Sequence, residues 1–155
     1  MSKRPKQAAI VVVVVLIAAQ FIRPDRTNPP IDPSRTIAVD ESVARDLVIV
    51  LDRACSDCHS NATVWPWYTE IQPLSSLMAY AVKEGRKIVN FSEWSTYSTA
   101  QRSALLAASC RDTSSGKMPG LYAVLRPEMR LSAGDIETVC AAALEAKTSA
   151  ATVVR

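Results

Sequence analysis

Cys55-Ser56-Asp57-Cys58-His59 is a C-x-x-C-H run, and no other stretch constrains the chain as much. Two thiols spaced by two residues at a helix end reach the same porphyrin, and each can add across one of its two vinyl groups. The residue after the second thiol then lies under the iron. The spacing is therefore the attachment signature of one c-type haem, with Cys55 and Cys58 as attachment residues and His59 as an axial ligand. An imidazole in that role needs its other ring nitrogen held by a carbonyl or water, which fixes the tautomer.

Other chemistries for the same residues fit less well. A thioredoxin-like redox pair requires a βαβ setting, whereas the flanks here read as helix and Pro-rich loop. A structural zinc site could recruit Cys55, Cys58, His59 and one distant cysteine, but Cys110 and Cys140 are isolated and form no second knuckle. A plain Cys55–Cys58 disulfide leaves the adjacent histidine without a reason.

With 155 residues, 48% of them hydrophobic and only four Gly, the chain has room for an anchor and one small helical domain. The formal charge of +3 is unevenly spread: residues 1–39 carry six Lys and Arg against two Asp, leaving twelve against thirteen Asp and Glu in the rest. The folded part is thus close to neutral and has no footprint for nucleic acid.

Lys3, Arg4 and Lys6 precede an apolar run from Ala8 that includes five consecutive Val. A basic region leading into an apolar stretch keeps the N-terminus inside and exports the chain on its C-terminal side. Residues 8–22 are short against the roughly 20 residues of a full span, although flanking Lys and Arg can snorkel. Ile17-Ala18-Ala19 is a poor match to a cleavage site. Residues 1–22 are therefore expected to be an uncleaved, single-pass transmembrane anchor, with cleavage and release as the alternative. Pro24, Pro29, Pro30 and Pro33 make residues 23–39 an expected linker, extended at about 3.1 Å per residue and holding the domain off the bilayer.

The domain is expected over residues 40–147, all-α, with about four helices around the haem. Val43, Leu47, Val50, Leu51 and Ala54 form one apolar stripe on a helix that runs into Cys55. Trp65, Trp67 and Tyr68 suit the wall of a large apolar disc, and ordinary core packing explains them equally well. A second helix covers 74–89. Ser98 and Gln101 form a capping box for a third that reaches about Asp112. Ser132 and Asp135 open the last, over 131–147, and 148–155 is a tail.

The chain has one His, so the sixth ligand is Met, Lys, water or nothing. Met118 lies between Gly116 and Pro119-Gly120, free of helix constraints, whereas Met78 fits a helix face and Met129 is the runner-up. A thioether ligand raises the reduction potential. In an exported domain Cys110 and Cys140 are expected to oxidise to a disulfide, the alternative being two separate buried thiols. The bridge is worth about 2–4 kcal/mol.

Taken together, Cys55 to Asn61, Trp65-Pro66-Trp67-Tyr68, Glu84-Gly85-Arg86, Asn90-Phe91-Ser92-Glu93-Trp94, Lys117-Met118-Pro119 and Leu131-Ser132 resemble the bacterial haem-binding domain family of small, single-haem, cytochrome c-like proteins. The resemblance covers roughly 40–147. It implies a bacterial protein whose domain lies on the periplasmic or outer side of the cytoplasmic membrane. It further implies attachment through Cys55 and Cys58, axial ligation by His59 and Met118, and a place at the haem for Arg86, Asn90 and Trp94. Many relatives have a His before the Pro of the segment matching Leu125-Arg126-Pro127. Arg126 stands there in this chain, which leaves Met118 with less competition.

The expected function is single-electron transfer by a membrane-tethered haem c protein serving redox partner proteins. No nucleophile or general acid-base pair stands out, so an ordinary enzyme is not expected. The rival is a haem-based redox or gas sensor in which Met118 leaves the iron.

Overall fold

Four helices of ten residues or more build the domain in the computed structural model, which describes residues 3–153: α2 (Arg45–Ala54), α4 (Leu74–Ile88), α5 (Thr99–Ser114) and α7 (Ala133–Val153). α1 (Lys3–Ala19) precedes them, and the short helices α3 (Ser56–His59) and α6 (Tyr122–Leu125) lie between them. Five 3-10 turns complete the connections, and no strand occurs among the described residues.

The helix starts are set by local hydrogen bonding. α2 begins at Arg45, later than the stripe suggests, because the Asp40 carboxylate turns back to accept the Ser42 amide at 3.0 Å and its hydroxyl at 2.6 Å. The other Asp40 oxygen accepts the Trp94 indole N–H at 2.9 Å and pairs with Arg102 at 2.7 Å. α5 starts with the reciprocal Ser98–Gln101 capping box. Before α7, Ser132 and Asp135 exchange bonds in the same way, at 3.1 and 2.7 Å.

Leu47, Val50 and Leu51 on the apolar face of α2 pack in one core with Leu106 of α5, Val139 of α7 and the fully buried Trp94. Each buried Leu there contributes about 1.5–3 kcal/mol. α5 and α7 are the most closely packed helix pair. The Cys110–Cys140 disulfide joins them with a Cα–Cα separation of 4.7 Å.

Three parts of the chain differ from the sequence expectation. α1 has 17 residues, about 25 Å at 1.5 Å per residue, against a hydrocarbon core of about 30 Å. No helix among the described residues is long and apolar enough to cross a membrane.

Residues 23–39 do not form a free spacer. Arg26 donates to the Thr69 carbonyl at 2.9 Å and pairs with Glu70. Asn28 donates to the Thr63 carbonyl at 2.8 Å, Arg35 pairs with Glu93 at 2.7 Å, and Ile37 is buried in the core. Nor is it extended throughout: Pro33–Arg35, opened by Pro33 itself, and Ile37–Val39 are 3-10 turns, and these side chains lay the segment along the domain.

α7 continues through residues 148–153, most of the expected tail. Its Ala-rich sequence favours helix, and the Thr148 and Ser149 hydroxyls donate back to the carbonyls four residues earlier. The remainder of that tail and the first two residues of the expected anchor lie outside the described residues.

Candidate functional site

α2 breaks at Cys55, and α3 begins at the next residue. The Cys55 carbonyl accepts the amides of Cys58 and His59 at 3.1 and 3.0 Å, closing the motif into a single turn. Cys55, Cys58 and His59 thereby enter one wall of a cavity of about 250 Å³. The rest of its lining is mainly apolar: Leu51, Ala54, Ile88 and Leu105 contribute from α2, α4 and α5, Val89 and Phe91 from the link that follows α4, and Met118, Tyr122 and Met129 from the segment between α5 and α7.

The approach of α3 to α4 depends on Gly85. A Cβ there would run into the Cys58 carbonyl, lying 3.0 Å from its carbon. With no side chain in the way, the Gly85 carbonyl accepts the His59 Nδ1–H at 2.9 Å, and the Val89 carbonyl lies 3.3 Å from the same nitrogen. A carbonyl can only accept, so the proton is on Nδ1. Nε2 has no hydrogen-bond partner among the described residues and is the lone pair free for a metal. Burial also lowers the His59 pKa, keeping the imidazole neutral.

Burial pushes the Cys55 thiol up to about 12, with Cys58 adding to the effect, and the Cys58 thiol up to about 11, with Asp57 adding. Both thiols are thus protonated at neutral pH. The fourth zinc ligand is missing, since Cys110 and Cys140 are bonded to each other. No group of three or more His, Cys, Asp or Glu among the described residues could hold a metal ion. What remains fits haem: an apolar chamber for a flat macrocycle, one neutral imidazole with a free nitrogen, and two thioethers on the lining.

Met118 is half-buried on the turn after α5, where its amide donates to the Asp112 carbonyl at 3.0 Å. Gly116 and Gly120 flank it at φ +72° and +57°, a region that side chains rarely adopt. Met129 is more deeply buried, at 4% exposure. Both methionines line the cavity.

Six other residues expected at the haem are not in the lining. Trp67 is 76% exposed and meets Tyr68 edge to face, and Trp65 donates to the Asn28 side chain at 3.3 Å. The 3-10 turn Trp67–Glu70 carries Trp67 and Tyr68, and the Tyr68 hydroxyl is buried. Trp94 is in the core behind Phe91, whose ring lies 6.2 Å from that of His59 and 6.3 Å from that of Trp94.

Arg86 and Asn90 act on the segment just beyond His59. Arg86 donates to the Ser60 carbonyl at 2.7 Å and to the Thr63 hydroxyl at 2.8 Å, while Asn90 donates to the Asn61 side chain at 2.8 Å. Both position the motif without touching the cavity.

Two partners of the motif carry little signal in the sequence. Gly85 stands there within the Glu84-Gly85-Arg86 motif and as an isolated glycine inside a helical pattern, the usual mark of close packing, but neither signal names Cys58 as its neighbour. Arg126, notable in sequence only as a replaced histidine, pairs with Asp57 inside the motif at 2.9 Å, with both side chains largely buried.

A family profile described as a haem-binding domain matches residues 14–144. No curated protein and no solved structure matches the chain. The match spans most of the sequence and contains every residue of the cavity wall, and with it the chain belongs to the haem-binding domain family.

Proposed function

We propose that the chain is a membrane-anchored, exported c-type cytochrome that holds one covalently attached haem and carries single electrons between redox partner proteins. The observation that carries this reading is the convergence of Cys55, Cys58, His59 and Met118 on one apolar cavity. Protonated thiols suit attachment, because each S–H adds across a vinyl group to give a neutral thioether with no buried charge. The bound haem supplies a one-electron ferric/ferrous couple. His59, through Nε2, and Met118, through its thioether, would hold the iron, with Met129 as the alternative sulfur. Phe91, Ile88 and Leu105 keep water from the centre.

α1 supports the anchor: Ile10 through Ile17 are eight consecutive large apolar residues exposed by 46–63%, a surface that calls for a cover. The basic residues before it keep the N-terminus inside and leave the domain on the periplasmic or outer side. The half-exposed position of Met118 favours a second reading, a haem sensor that opens by losing this ligand.

The test is an alkaline pyridine haemochrome spectrum of protein matured with c-type machinery. The reading requires the spectrum of a haem with both vinyl groups saturated, and its loss in Cys55→Ser/Cys58→Ser. A haem extractable by acidified solvent contradicts covalent attachment. Rapid CO binding by the reduced protein favours the sensor over the carrier.

A further inference from the structure

We infer that the domain rests on the bilayer through the face around the root of α1, with Phe21, Ile22, Trp67 and Ile71 in the lipid interface. This rests on the anchor reading above and adds to it a fixed docking surface. The chain does not swing away from the domain after α1. The Gln72 amide donates to the Gln20 side chain at 3.0 Å, the Gln72 side chain donates to the Ile22 carbonyl at 2.8 Å, and Arg23 donates to the Glu70 carbonyl at 3.1 Å. The segment 67–72 is thus tied to the end of α1 within a few residues of the apolar run.

Four large apolar side chains are exposed at that junction, Phe21 by 83%, Trp67 by 76%, Ile22 by 61% and Ile71 by 46%, beside the exposed Arg23–Glu70 ion pair. A helix shorter than the hydrocarbon core draws its flanks toward the lipid, and exposed Trp is the side chain best suited to the interfacial zone. A groove of about 520 Å³ runs from Pro24 beside the root of α1 along α4; Lys83, Arg86 and Lys87 outnumber Asp25 in its lining, with Lys87 paired to Glu84. The occupant of this face is therefore the membrane that α1 enters.

The experiment uses full-length holoprotein, in which thioether formation and the disulfide leave no free thiol. Single cysteines at Trp67→Cys and Ile71→Cys, with Val13→Cys in α1 and Glu137→Cys on exposed α7, receive a nitroxide. The proteins are reconstituted in vesicles of phosphatidylglycerol and phosphatidylcholine. The ratio of collision rates with oxygen and with a water-soluble nickel chelate reports immersion. Ratios at 67 and 71 severalfold above that at 137 are expected. Ratios at 67 and 71 equal to that at 137, with position 13 in lipid, overturn the docking and leave the anchor intact. A water-like ratio at 13 overturns both.

Discussion

His59 donates its Nδ1–H to the carbonyl of Gly85 at 2.9 Å, so the residue that lets α3 approach α4 also sets the direction of the imidazole. Sequence, packing and ligand orientation meet at that one glycine.

Gly85→Ala tests this junction. In an open helix the substitution gains about 0.5–1 kcal/mol. Here the new methyl meets the Cys58 backbone, and overpacking costs about 1–3 kcal/mol. The expected result is a lower melting temperature of the holoprotein and a weaker low-spin spectrum. A raised melting temperature with an unchanged spectrum contradicts the close approach.

Arg126→Leu removes the ion-pair partner of Asp57, whose side chain otherwise accepts the Val64 amide at 2.9 Å. A half-satisfied, largely buried carboxylate costs about 1–3 kcal/mol. Urea unfolding should show this loss, and adding Asp57→Asn should recover part of it. Strictly additive effects of the two changes would mean that the pair is not coupled.

Burial raises the Asp40 carboxyl, but hydrogen bonds from Ser42 and Trp94 and the Arg102 charge outweigh it and leave the pKa below the usual carboxylate value. A depressed folded-state pKa gives stability that is fully present above about pH 4, where the unfolded carboxyl titrates. It is lost as pH falls through the lower folded-state value. Asp40→Asn should therefore flatten the acid side of the stability profile, measured by circular dichroism melts from neutral pH downward. An unchanged acid slope would exclude Asp40 as its source.

Features decided within one turn of chain were legible in the sequence. The stripe on α2, the Ser98–Gln101 box and the Ser132–Asp135 start need only neighbours a few residues away, and the C-x-x-C-H spacing carries its own chemistry. Features set by distant partners were not legible. Proline content suggests an extended linker over residues 23–39, but two 3-10 turns occupy 33–35 and 37–39, and the path is set by Thr63, Thr69, Glu70 and Glu93, between 35 and 58 positions further along. Aromatic content likewise marks Trp65, Trp67 and Tyr68 as suited to a haem wall, while the direction they face depends on the turn that carries them. Arg86 and Asn90 belong to the site through a backbone segment that only the folded chain brings to them.

The most direct test of Met118 as the sixth ligand is the absorption spectrum of the oxidised holoprotein in the near infrared, where methionine–iron(III) coordination gives a weak charge-transfer band. It is recorded for the parent chain, Met118→Ala and Met129→Ala. The band is expected in the parent and in Met129→Ala, and its loss is expected in Met118→Ala together with a lower reduction potential and new CO binding. A band that survives Met118→Ala and vanishes in Met129→Ala, or a parent protein that lacks it and binds CO readily, would contradict the assignment of Met118 and the closed electron carrier built on it.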